Sequence, residues 1–89
     1  MKNIESTIAV IDPIGLHARP ASQIVKTVRQ SGLNVLIGRK GGKLITANSP
    51  LQLMALKIKT GETLTVSIET DDEDAAAALV AELQGLLKG

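Results

Sequence analysis

The sequence contains no phenylalanine, tyrosine or tryptophan, no cysteine and a single histidine. Each gap closes off a class of function. Without aromatic rings there is no stacking platform for single-stranded nucleic acid, and any core has to be built from Leu, Ile, Val, Met and Ala. Without cysteine there is no disulfide, no thiol chemistry and no cysteine-based metal site. One histidine alone does not make a transition-metal centre. An excess of one charge is also missing: 10 Lys and Arg against 9 Asp and Glu leave a formal +1, too little for nucleic-acid binding on electrostatics. No apolar run reaches membrane-spanning length, and the opening Met1-Lys2-Asn3-Ile4-Glu5 has no apolar signal region. The expectation is a cytoplasmic protein with no membrane insertion, no metal and no cofactor. At 89 residues it should be one domain, 1–89.

What is present alternates between two periods. Ile4, Ile8 and Val10 share one parity, with Glu5 and Thr7 on the other, which predicts a half-buried strand ending near Ile11. Asp12-Pro13-Ile14-Gly15 is a loop of turn formers. Ala21, Ile24, Val25 and Val28 then fall at i, i+3, i+4 and i+7, predicting an amphipathic helix from about Ala18 to Gln30, closed by Gly32. Leu33 to Gly38 reads as a second strand, Gly41-Gly42 as a turn and Lys43 to Ala47 as a third strand. Ser49-Pro50-Leu51-Gln52 reads as a capping box that opens a short helix to about Leu56. After a Gly61-Glu62 turn, Leu64, Val66 and Ile68 alternate with Thr65, Ser67 and Glu69 in a fourth strand. Asp71-Asp72-Glu73-Asp74 places negative charge at the start of a last helix, whose buried stripe is Ala76, Leu79, Val80, Leu83 and Leu87. The order is βαββαβα. Strands patterned for one wet face predict an α+β fold: an open-faced β-sandwich, with a four-stranded antiparallel sheet and three helices on one face.

Chemistry concentrates where the first strand pattern gives way to the first helix, in Gly15-Leu16-His17-Ala18-Arg19-Pro20-Ala21. A histidine there lies at the free N–H groups of a new helix, where an anion is favoured. Arg19 adds a fixed charge and a fork of donors suited to phosphate oxygens. Pro20 presets a helical φ where no backbone donor is missed. The helix terminus and Arg19 both oppose an imidazolium, and both favour a negative charge close by.

This run resembles the active-site motif of HPr, the histidine-containing phosphocarrier family of the bacterial phosphoenolpyruvate:sugar phosphotransferase system. The resemblance covers essentially the whole chain. It implies a monomeric carrier, not a self-sufficient catalyst, that takes a phosphoryl group from phosphorylated enzyme I and passes it to enzyme IIA domains for sugar uptake. On that resemblance His17 is the phosphorylated residue, through Nδ1. Arg19 steadies the phosphoryl group, together with the backbone N–H groups of Ala18 and Arg19. Pro50, Leu51 and Met54 match an exposed apolar partner patch, with Leu53 and Leu56 turned to the core, and Lys26 and Arg29 edge the interface. Ser49 matches a position that a dedicated HPr serine kinase phosphorylates in many Gram-positive relatives. The sequence departs from the pattern there: Pro50 follows the serine, and Lys57 stands where a glycine is common. Ser49 as a plain helix cap explains the residue equally. Three other readings stay open: the nitrogen-related branch of the family, a purely regulatory paralogue, and a small ligand-binding α+β regulatory module.

Overall fold

The computed structural model describes residues 3–88. The expected span 1–89 also takes in Met1, Lys2 and Gly89, which lie outside the described residues. The elements are β1 (Asn3–Ala9), α1 (Ala18–Ser31), β2 (Asn34–Arg39), β3 (Ile45–Thr46), α2 (Pro50–Ala55), β4 (Thr63–Glu69) and α3 (Glu73–Leu86). The sheet order is β1-β4-β2-β3, and every neighbouring pair is antiparallel. β4 is therefore an inner strand, although it enters last.

The ladder register makes the core. Ile8 faces Leu64, Ile68 lies between Ile4 and Val35, and Val66 faces Ile37. A period of two sends these side chains to one face, where Ile8, Val35, Ile37, Leu64, Val66 and Ile68 are buried. The helices close over that face. Ile24, Val25 and Val28 of α1, Leu53 of α2, and Ala76, Leu79 and Leu83 of α3 join the same cluster. Gly32 ends α1 in the left-handed conformation, with its N–H on the Arg29 carbonyl. Asp72 caps α3 by accepting the Ala75 N–H at 3.1 Å. The open-faced β-sandwich read from the alternation is the architecture observed. Among the described residues no helix is long and apolar enough to cross a membrane.

Three details differ from the sequence reading. The third strand is not Lys43 to Ala47 but only Ile45–Thr46. At Gly38 the Lys43 carbonyl packs over the bare face of β2, so close that a Cβ would lie 2.3 Å from it. The chain there is off the ladder, and pairing starts at Ile45. The capping box at Ser49 does not form: Ser49 is the N-cap and Pro50 opens α2, but the hydroxyl makes no cap hydrogen bond. Pro50 presets the first helical φ without a donor to satisfy, and the turn closes on the backbone, Leu53 N–H to Ser49 carbonyl at 3.2 Å. Ser67, assigned to the wet face, is buried. It lies between Glu5 and Leu36 across the two ladders, and the neighbours of an inner strand cover it.

Candidate phosphoryl-acceptor site

The loop between β1 and α1 is held from two directions. From α3, the Leu87 carbonyl accepts the N–H groups of Ile11 and Asp12 at 2.9 and 2.7 Å. The Gln84 carboxamide accepts from the Ala9 N–H and donates to its carbonyl, each at 2.8 Å. From the segment before β4, the Ile58 carbonyl accepts the Leu16 N–H at 3.1 Å, and the Thr60 hydroxyl donates to the Asp12 carbonyl. Gly15 makes this docking possible. Its φ is +90°, and a Cβ there would lie 2.6 Å from the Ile58 carbonyl oxygen. Within the loop the Asp12 carboxylate accepts the Ile14 N–H at 2.9 Å, an Asx turn. The Asp12 carbonyl accepts the Gly15 N–H at 3.0 Å.

The outcome is a fixed N-cap. His17 has extended φ and ψ of −103° and −170°, and its carbonyl accepts the Ala21 N–H at 3.0 Å to start α1. Its ring makes no cap bond, and no acidic residue stands in the first turn. The N–H groups of Ala18 and Arg19 thus have no intrahelical acceptor. Pro20 occupies the third helical position, where its missing donor costs nothing. His17, Arg19 and Pro20 share an open cleft of about 590 Å³ with Asp12, Ile14 and Lys88.

Three cleft residues were not singled out in the sequence. Asp12 was read as a turn former, yet its Oδ1 lies 3.4 Å from His17 Nε2. The Ile14 N–H and, after it, the His17 ring hold the Asp12 carboxyl below its ordinary value, against partial desolvation that pushes it up. The imidazole, expected beside the helix terminus and Arg19, thus faces a carboxylate as well. The Asp12-Pro13 pair close before His17 was the available signal. Ile14 is 73% exposed, a large apolar side chain beside the imidazole. Lys88 reaches the cleft because α3 ends there, which no local pattern announces.

The expected partner residues separate. Leu51 is 75% exposed and Pro50 half-buried. Met54 is half-buried against the core, not a free patch residue, and Leu56 is half-buried where full burial was expected. A helix of only 6 residues lies so close over the core that its flanks are shared between core and surface. Lys26 is exposed on α1. Arg29 is exposed but engaged, donating to the Asn48 carbonyl at 3.1 Å and so tying α1 to the approach of α2. Ser49 is half-buried.

The chain matches the family described as the PTS HPr component phosphorylation site over residues 4–85. It belongs to the HPr family. A phosphocarrier protein HPr of Lysinibacillus sphaericus is 42% identical over 76 residues, 83% of each chain. One of Mycoplasma pneumoniae is 35% identical over 85 residues, 94% of each chain. A crystal structure of phosphocarrier protein HPr from Bacillus anthracis str. Ames superposes with a TM-score of 0.74 at 32% identity, covering 89% of this chain and 94% of that one. The HPr fold and the phosphocarrier function read from the motif are those of this family.

Proposed function

We propose that His17 carries the phosphoryl group on Nδ1, taking it from phosphorylated enzyme I and giving it to enzyme IIA domains in the cytoplasm. The observation that carries this reading is the placement of the one histidine at the N-cap of α1. There its ring lies in an open cleft beside Arg19, and makes no cap bond that transfer would have to break. Transfer between two nitrogens asks for positioning and charge stabilisation more than for new covalent machinery. Arg19 and the unsatisfied N–H groups of Ala18 and Arg19 supply the stabilisation. The donor and the final acceptor are other proteins, so the chain acts as a carrier and not as an enzyme.

Leu51 and Pro50 form the apolar part of the docking surface on α2, and Ile14 adds to it at the cleft. Lys26 lies at its edge, and Arg29 serves mainly as a strut. Regulation by a serine kinase at Ser49 fits the free hydroxyl but has Pro50 against it, so we assign Ser49 to helix initiation.

The test is incubation with enzyme I and phosphoenolpyruvate. The parent should gain an acid-labile phosphate and pass it to a IIA domain. His17→Ala should gain none while melting within about 0.5 kcal/mol of the parent, because the half-exposed ring has no cap bond to lose. Acid-labile labelling retained in His17→Ala would place the acceptor elsewhere.

A further inference from the structure

We propose that Asp12 is the positioning residue for His17: its carboxylate keeps the ring proton on Nε2, presents Nδ1 as the nucleophile, and balances the charge the ring gains when phosphorus is bound. The inference rests on the reading of His17 as phosphoryl acceptor.

The geometry singles out one side of the ring. Asp12 Oδ1 stands 3.4 Å from Nε2, with its side chain 12% exposed against 32% for His17. Asp12 is held at its N–H, its carbonyl and one carboxylate oxygen, the same Oδ1 that faces the ring. Its N–H is on the Leu87 carbonyl at 2.7 Å, its carbonyl accepts from Gly15 and Thr60, and its carboxylate accepts from Ile14. The carboxylate is thereby anchored to the loop, and the ring orients to it. A neutral imidazole holds one proton, and the nitrogen beside a fixed acceptor keeps it. With the proton on Nε2 the lone pair is on Nδ1.

The electron count gives the carboxylate a second effect. The Nδ1 lone pair forms the N–P bond as the donor histidine's N–P bond breaks and returns its electron pair to the donor ring. No proton leaves Nε2, so the His17 ring becomes cationic as phosphorus arrives. Asp12 is then opposite a positive charge that was absent before transfer, so its stabilisation grows along the reaction, as catalysis requires. A contact of 3.4 Å is loose for the free protein and has room to tighten as that charge develops. Arg19 from α1 and Lys88 beyond α3 line the same cleft and meet the opposite charge, that of the phosphoryl oxygens.

Asp12 also shapes the loop through its Asx turn, so the test separates shape from charge. Asp12→Asn keeps an acceptor oxygen for the Ile14 N–H and loses the charge; Asp12→Ala loses both. Nitrogen NMR of the labelled His17 ring, at a pH where it is neutral, reads the tautomer in each protein. Rapid-quench labelling by phosphorylated enzyme I reads the transfer rate. The parent should hold the Nε2–H tautomer. Asp12→Asn should transfer about tenfold more slowly, the factor that ~1.4 kcal/mol of lost transition-state stabilisation produces. Asp12→Ala should be slower still, with the proton shared between the two nitrogens. A parent ring protonated on Nδ1 overturns the proposal. So does an unchanged rate in Asp12→Asn, which leaves Asp12 a loop-shaping role alone. If the parent accepts no phosphate, the reading of His17 falls, and the tautomer measurement still decides the role of Asp12.

Discussion

Lys57 is the one described non-glycine residue with a left-handed backbone, at φ 54°. That conformation costs an L-residue about 1–2 kcal/mol. It persists because the surrounding groups over-determine it: the Lys57 N–H is on the Met54 carbonyl at 3.0 Å, and its carbonyl accepts from Arg39 at 3.0 Å. Lys57→Gly should relieve the strain and give back part of the gain as unfolded-chain entropy, a net rise in stability of up to about 1 kcal/mol. Thermal melting checks this, and a lowered midpoint would mean that the lysine side chain contributes more than its backbone costs. The resemblance pointed at this residue, since glycine is common there. Gly15 and Asp12 were not legible in the same way. Both read as turn formers, and what they do depends on Ile58, Thr60 and Leu87, which only the fold brings to them.

Among the elements, α2 decides where a partner meets apolar surface. Leu53 is fully buried and Leu51 is 75% exposed, two residues apart on the same helix. Leu51→Glu should therefore leave melting within about 0.5 kcal/mol of the parent and slow enzyme I-dependent phosphorylation, because a carboxylate pressed against an apolar partner loses its solvation without a counter-ion. Leu53→Glu should abolish folding, since an unpaired charge in the core costs several kcal/mol. Normal phosphorylation of folded Leu51→Glu would move the docking surface off α2. Met54 is not the variant to use, because its half-burial against the core mixes the two effects. Periodicity located the longer helices and strands, and the Ser49-Pro50 start signal placed the one-turn-and-a-half α2. It did not resolve the flanks of α2, because so short a helix leaves several residues at the boundary between core and surface. Nor could alternation show that β3 starts only at Ile45, where the Lys43 carbonyl has left the ladder to pack over Gly38.

For the molecule as a whole, two carboxylates link stability to pH through the supports of the site. The Ile14 N–H and the His17 ring lower Asp12; Arg39, with Nε 2.7 Å from Oε1, and the Lys59 N–H lower Glu62. A carboxyl held low binds fewer protons folded than unfolded, so its stabilisation is complete above the ordinary values of 3.8 and 4.5 and is lost as pH falls through the folded ones. Denaturant midpoints taken downward through that range should fall, and fall less steeply in Glu62→Gln; an equal slope would remove Glu62 from the linkage. The cleft draws its lining from the loop after β1, the start of α1 and the end of α3, and on the proposed reading it holds one nitrogen of His17 in reach of a donor. The most direct measurement is phosphorus and nitrogen NMR of the isotope-labelled protein after charging from phosphoenolpyruvate through enzyme I. A single acid-labile phosphoryl group coupled to Nδ1 of His17 is the predicted result. A phosphoryl group on Nε2, an acid-stable one on a hydroxyl such as Ser49, or none at all would contradict it.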